Sequence, residues 1–406
     1  MSSATPERAD KEREGVPVDE FLDEALYGPA GFYTRGGGAG RRGDFLTSPE
    51  IGGLFGAVVA RALDATWDDL GRPDPFTVVE AGAGRGALAR SVLDSAPACA
   101  GALRYWCVER SPVLRRLAGE VAGTRAAGRF PAGPLTGVVV ANELLDNLGF
   151  RLLERRPGGW AEVLVAGGGS EVVVPALPEA AERAAVLAPE ADAGARIPLQ
   201  DRAASWLAAA LAALQRGKLV VVDYADVTPS LARRPWRDWV RTYRGQQRGG
   251  HPWADPGSHD VTCEVAVDQL AAVRPPDRDR SQAEWLAAHG VDDLVAEARA
   301  TWHERAQVGD LAALAARSRV GEAAALCDPA GLGAFRVLEW DVPAPASLRT
   351  GGRSGAGSAP HLPPIGRRGE GATGAGAPAS LRTGGRSGAG SAPHLPPIGP
   401  RGEGAR

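Results

Sequence analysis

Apolar positions in the first 75 residues repeat with a helical period. Asp19–Tyr27 predicts a short helix closed by Gly28-Pro29, preceded by a polar stretch to about Pro17 that reads as a frayed end. Ile51, Leu54, Phe55, Val58, Val59, Ala62 and Leu63 fall at i, i+3, i+4 and i+7, forming one apolar face of a longer helix. Thr47 or Ser48 can cap that helix, with Pro49 in its first turn. A glycine-rich loop, Gly36–Gly43, separates the two helices.

From residue 76 the period alternates between strand and helix. Phe76–Glu80, Leu103–Glu109, Val138–Asn142 and Lys218–Tyr224 read as strands, with helices expected at 86–95, 111–121 and 203–216. Wholly apolar strands alternating with helices predict an α/β fold, with a doubly wound, mostly parallel sheet covered on both faces. A further strand of this rhythm belongs within 124–130, where no apolar run marks it. Phe150–Arg155, Trp160–Ala166 and Glu171–Ala176 read as short antiparallel strands inserted into the rhythm. Residues 284–320 are expected to be helical, and Phe335–Trp340 is expected to be the closing strand.

The pattern stops near residue 343. Residues 345–372 recur at 378–405 with one change, Arg367 to Pro400, a period of 33. Gly and Pro make up 26 of the 64 residues in 343–406, too many for a packed core, so a disordered tail is expected. The expected plan is an N-terminal helical extension (1–75), a core (76–342) with insertions at about 150–200 and 226–283, and the tail (343–406).

Charge and cysteines change this picture little. The net charge is −3, but the tail carries eight Arg against two Glu, which leaves the body acidic and a poor match for a phosphate backbone. Cys99, Cys107, Cys263 and Cys327 lack metal-site spacing, so neither a metal nor a disulfide framework is expected. The polar start and the lack of a membrane-length apolar run lead to an expectation of a cytoplasmic protein with no membrane span.

Three motifs carry candidate chemistry. Glu80-Ala-Gly82-Ala-Gly84-Arg-Gly86 follows a strand and opens a helix, so the glycines permit a tight turn and close backbone approach to a ligand. Its G-x-G-x-G spacing differs from the dinucleotide fingerprint, and an acid stands two positions before the first glycine. That carboxylate repels a pyrophosphate but attracts a sulfonium bearing an amino group, which points to S-adenosylmethionine (SAM). Glu109, at the end of the second strand, is placed to accept ribose hydroxyls, and Ser111 follows it. Asn142, Glu143 and Asp146 end a buried strand where open α/β sheets bind their ligands. Glu143 and Asp146 would share one face of a helical turn, although helix capping also accounts for Asp146. In the second insertion, Arg241, Tyr243, Arg244, His251 and His259 are second-site candidates, with a solvated basic loop as the simpler reading. Trp236, Trp239 and Trp253 are expected to anchor that insertion.

These residues resemble the MidA-like class I SAM methyltransferases, the family that includes a mitochondrial complex I assembly arginine methyltransferase. The resemblance rests on Leu26–Pro29 with Gly31–Tyr33, Gly43–Glu50 with Phe55-Gly56, Glu80–Gly86, Val108–Pro112, Ala141–Asp146, Asp223-Tyr224, Pro256-Gly257 and Asp260–Thr262. It implies SAM bound by Glu80, Gly82, Gly84, Gly86, Glu109 and Ser111, and a substrate site bordered by Asp44, Thr47, Ser48 and Glu50. It also implies methylation of a protein arginine, with Glu143, Asp146 and Asn142 as catalytic candidates. A carboxylate pair would orient the guanidinium and take its proton. Two departures fall in the second insertion: Gln246-Gln247 replaces an expected histidine, and Glu264–Val267 replaces H-V-D-F. A small-molecule methyltransferase or a non-catalytic SAM-binding assembly factor are therefore the alternatives. The implied partners are an arginine-bearing protein or a small molecule, and no nucleic acid; a homodimer stays open.

Overall fold

Seven strands form the central sheet of the computed structural model, which describes residues 15–38, 47–245 and 247–344. They are β1 (Phe76–Ala81), β2 (Leu103–Val108), β3 (Thr124–Ala127), β4 (Leu135–Asn142), β5 (Leu214–Asp223), β6 (Arg278–Ser281) and β7 (Arg336–Val342). Their spatial order is β3-β2-β1-β4-β5-β7-β6. β1 to β5 pair in parallel, while β7 runs antiparallel to both neighbours. The order reverses between β1 and β4, so a crevice opens at their carboxyl ends.

The apolar strand residues face two layers. On one side the extension helix α3 (Gly53–Asp69) packs with α4 (Ala87–Asp94), α7 (Val291–Arg305) and the end of α8 (Leu311–Leu326). On the other side α6 (Asp201–Ala213) covers β4 and β5 through Ala203, Leu207 and Ala210. The remaining labelled helices are α1 (Val18–Tyr27), α2 (Ser48–Ile51) and α5 (Pro112–Ala118).

The first insertion makes its own antiparallel sheet from Arg151–Arg156, Gly159–Val165, Glu171–Pro175 and Arg196–Leu199. The second contributes Val240–Arg244, paired antiparallel with Asp260–Cys263 and Gln247–Arg248. Trp239 and Trp253 are buried between these insertions and α1, as expected of anchors, and Trp236 packs against them.

Three sequence expectations shift. The missing strand is β3, a four-residue edge strand, Thr124-Arg-Ala-Ala, exposed on one side and so lacking an apolar run. Val16 and Pro17, expected in a frayed end, pair with Val165 and Leu164, and residues 1–14 of that expected stretch lie outside the described residues. The helical stretch 284–320 is divided into Gln282–Ala288, α7 and α8, with Gly290 and Gly309 at positive φ between them. We propose the described residues of 1–75 as an extension integrated with the core, since α3 packs inside one face of the sheet. The expected disordered tail, apart from Pro343 and Ala344, lies outside the described residues.

Candidate active site

The glycine loop connects β1 to α4 at the switch point. Gly82, Gly84 and Gly86 take left-handed φ values of 72°, 54° and 76°, which disfavour a side chain at all three. A Cβ at Gly84 would meet nothing within 4 Å, so the loop leaves an open cradle there. A Cβ at Gly86 would lie 2.9 Å from Val121 Cγ2, so this glycine serves close packing on the segment after α5.

Two buried carboxyls flank the loop. Glu80 lines the cleft beside Gly82 and Gly84, and burial pushes its carboxyl up to about 8 against the opposing hydrogen bond from the Tyr105 hydroxyl (2.8 Å). A cation in the cleft would offset that desolvation. Glu109 is fully buried; its Oε1 accepts from Ser111 N (2.7 Å) and its Oε2 from Gly84 N (3.0 Å). Burial pushes it up to about 8 as well, opposed by those amides. Glu109 thus ties the glycine loop to the end of β2. The Ser111 hydroxyl accepts from Leu114 N, capping α5, and donates to Tyr33 O (2.8 Å), so its visible task is to hold the N-terminal segment on the β2 end.

Thr47, Pro49 and Glu50 face the same cleft, together with Asn142 from β4. Ser48 is fully buried beneath them, with its amide 3.4 Å from Glu143 Oε1 and its hydroxyl donating to Gln282 Oε1 (2.9 Å). Asp44, the fourth expected border residue, lies outside the described residues. The Asn142 amide donates from Nδ2 to Glu143 Oε1 at 3.1 Å. That oxygen also receives an amide N–H, so Asn142 must present its NH2 there and turn Oδ1 away. Asn142 Oδ1 is buried without a hydrogen-bond partner among the described residues.

The expected Glu143–Asp146 pair does not share a helical face. Glu143 takes a left-handed φ of 49°, which breaks the turn, and the following helix is only the 3-10 segment Leu145–Asn147. Asp146 instead enters a buried polar network. The Tyr224 hydroxyl donates to Asp146 Oδ2 (2.8 Å) and lies 2.6 Å from Thr262 Oγ1. Asp223 Oδ2 accepts from the amides of Leu145 (3.0 Å) and Asp146 (3.3 Å), clamping the β4 end to β5. The Tyr33 hydroxyl donates to Asn147 Oδ1 (2.7 Å), and Asn147 Nδ2 approaches Asp260 Oδ1 (3.4 Å). Burial, followed by the charge of Asp146, pushes Asp223 and Asp260 well above the usual carboxylate range; Asp146 itself is pushed up to about 7 by burial.

Asp223, Tyr224, Asp260 and Tyr33 stood in the sequence as matched motifs without a role. Only the pairing register shows why they meet. Arg241 lies opposite Thr262 and Tyr243 opposite Asp260, so strand alternation sends these four to one face, above the ends of β4 and β5. Val240, Val261 and Cys263 occupy the other face, packed with Trp239 and Trp253. Arg241 and Tyr243 therefore do not belong to a solvated loop, whereas Arg244 is exposed. His251 packs on Trp236 and Trp253, and His259 contacts Ser258, so neither joins the cluster. Among the described residues no group of His, Cys, Asp and Glu is arranged to hold a metal ion, and no helix is long and apolar enough to cross a membrane.

Comparison with known proteins agrees with this geometry. Residues 58–277 match the model of a family described as "Putative S-adenosyl-L-methionine-dependent methyltransferase". A Drosophila melanogaster protein named protein arginine methyltransferase NDUFAF7 homolog, mitochondrial, is 34% identical over 181 residues, 37% of this chain and 41% of its own length. The Danio rerio protein arginine methyltransferase NDUFAF7, mitochondrial, is 29% identical over 183 residues, 37% of this chain and 43% of its own. The chain thus spans about two fifths of the length of these curated relatives. A crystal structure from Burkholderia thailandensis, bound to S-adenosylhomocysteine (SAH), superposes with a TM-score of 0.68 at 27% identity, covering 84% of this chain and 95% of that one. The expected cytoplasmic location is overturned, because the curated relatives are mitochondrial proteins. A doubly wound sheet, a glycine loop at its switch point and a family match over more than half the residues lead to one conclusion: the chain belongs to the family of S-adenosyl-L-methionine-dependent methyltransferases.

Proposed function

We propose that this chain methylates an arginine side chain of a protein substrate. The observation that carries this is Asn142. Its Oδ1 is buried and unpartnered among the described residues, on a side chain that lines the cleft beside Gly82, Gly84 and Glu80. An acceptor held in that state suits an N–H donor, and a guanidinium offers five. The choice of arginine over other N–H substrates draws on the names of the relatives.

The residues present fit the cofactor. The open cradle at Gly84 admits a ligand against the backbone, and Glu80 sets a carboxylate beside it. In our proposal Gly82, Gly84, Gly86 and Glu80 hold SAM, and Glu109 serves its ribose after exchanging its loop contacts. SAM supplies an activated methyl group, so the protein has mainly to position the nucleophile, which contributes about 7–11 kcal/mol in well-oriented reactions. Asn142 accepts from the guanidinium and fixes its plane. Glu143 orients the Asn142 amide and, with Glu50 on the cleft wall, provides the carboxylates that receive the proton lost on transfer.

Two variants test these roles. Glu143→Gln is expected to abolish turnover, and Asn142→Ala to lower kcat by about 100-fold, while calorimetric SAH affinity stays within about threefold of the parent. Unchanged turnover in both would sink the assignment. The substrate is tested by incubating the chain with methyl-labelled SAM and a lysate of cells lacking its gene. Label recovered from protein as methylarginine is the expected result. Label confined to small molecules would favour a small-molecule methyltransferase, and SAH binding with no transfer would favour an assembly factor.

A further inference from the structure

Four carboxyl groups crowd the ends of β4 and β5: Glu143, Asp146, Asp223 and Asp260, each at most 2% exposed. Burying acids so densely requires a compensating charge or a bound proton. The face of the second insertion supplies a charge. Arg241 projects from Val240–Arg244 toward this cluster and places its guanidinium carbon 5.2 Å from the centre of the Tyr224 ring. Its Nε donates to Asp238 O (2.7 Å) and its Nη2 to Glu264 Oε1. Glu264 Oε2 is held in turn by Arg234 (2.5 Å), which also reaches Asp226 (3.2 Å). Three directions of constraint leave the guanidinium little freedom, and an arginine clamped over an aromatic face is a placed charge rather than a solvated one.

We propose that Arg241 is a positioning residue of the methyl-transfer site: as the placed counter-cation of the buried carboxyl cluster it keeps Asp146 an acceptor for Tyr224, and so holds the segment that carries Asn142. This builds on the function proposed above. An ionised Asp146 can only accept, so Tyr224 must donate to it, and Thr262 must then donate to Tyr224. The hydrogen-bond chain runs one way, from Thr262 to Tyr224 to the accepting Asp146, and ties the second insertion and β5 to the segment after β4. A protonated Asp146 can donate as well as accept, so the direction is no longer fixed, and the tether on residues 142–147 weakens from a charge-assisted to a neutral hydrogen bond. The groups facing Asp146 are Asp223 and Tyr224 at the end of β5, Tyr33 from the N-terminal segment, and Tyr243, Asp260, Cys263 and Arg241 from the insertion. Arg241 is the group among these whose charge lowers the Asp146 carboxyl, in opposition to its burial.

The test compares Arg241→Gln, Arg241→Lys and Glu264→Gln in the full chain. Infrared spectra at pH 7 should show stronger protonated-carboxyl absorption in Arg241→Gln than in the parent, whose buried acids already contribute to that band, and Arg241→Lys should match the parent. With an arginine peptide as substrate, the acid limb of the kcat profile should move up by about one pH unit in Arg241→Gln, while KM for SAM changes by less than about threefold. Glu264→Gln, which loosens Arg241 without removing its charge, should shift the limb less and in the same direction; it also decides the matter if Arg241→Gln fails to fold. Identical carboxyl bands in the parent and the folded variants would overturn the counter-cation, and an unmoved pH profile would overturn its positioning role. If the parent methylates no arginine, the proposed function fails, and the infrared comparison still decides the charge assignment.

Discussion

Glu80 shows how a functional residue loads the fold with a cost. Its carboxyl is pushed up to about 8 by burial, despite the Tyr105 hydroxyl that favours the ionised form. The unfolded chain ionises Glu near 4.3. Between those values the folded state holds the extra proton, so stability is greatest below the unfolded pKa and declines as pH rises toward 8. Glu80→Gln keeps a partner for Tyr105 and removes the titration. Denaturant melts should show the parent losing on the order of 3 kcal/mol between pH 5 and pH 9 beyond what the variant loses. Parallel stability curves would show that Glu80 stays charged throughout. Asn142 belongs to the same scale: its amide donates to Glu143, which leaves a buried Oδ1 without a hydrogen-bond partner among the described residues.

At the scale of elements, the loop between β1 and α4 separates two uses of glycine. Gly84 faces open space, so Gly84→Ala costs only the strain of a left-handed residue, about 1–2 kcal/mol, and should act chiefly on SAH affinity. Gly86 abuts Val121 and Ala118, so Gly86→Ala adds overpacking of about 1–3 kcal/mol to the same strain. Urea denaturation should therefore rank Gly86→Ala below Gly84→Ala in stability, and SAH titration should show a loss for both. The glycine spacing was legible in the sequence, but the difference between the two positions was not, because it depends on where α5 ends. The same limit applies to Glu143 and Asp146: three residues apart suggests one helical face, and a single positive φ sends them to different partners.

At the scale of the molecule, three chain segments far apart in sequence meet at one point. Tyr33 of the N-terminal segment donates to Asn147 after β4, and Asn147 leans on Asp260 of the second insertion. Two acids of α1, Asp19 and Asp23, add ion pairs to Arg202 on α6, and Asp23 also pairs with Arg110 at the end of β2. Extension, core and insertion should then unfold together. Tyr33→Phe leaves a buried acceptor without its donor and is expected to destabilise the whole by about 1–2 kcal/mol in a single transition. A separate early transition, seen by fluorescence of Trp239 and Trp253, would show that the insertion unfolds on its own.

Periodicity and motif spacing by themselves determined the α/β alternation, the glycine loop with its acids, and the polar end of β4, because these are properties of neighbouring residues on one element. The edge strand β3 escaped, since a half-exposed four-residue strand has no apolar run to betray it. Only the tertiary structure decided which acids face the cleft and which are buried behind it. Glu109 and Ser111 spend their hydrogen bonds on the loop and on α5, and Asp146 turns to Tyr224. The register that places Arg241 beside Thr262 and Tyr243 beside Asp260 joins residues about 20 apart, and a pairing of that kind is set by sheet geometry and core packing, not by local spacing.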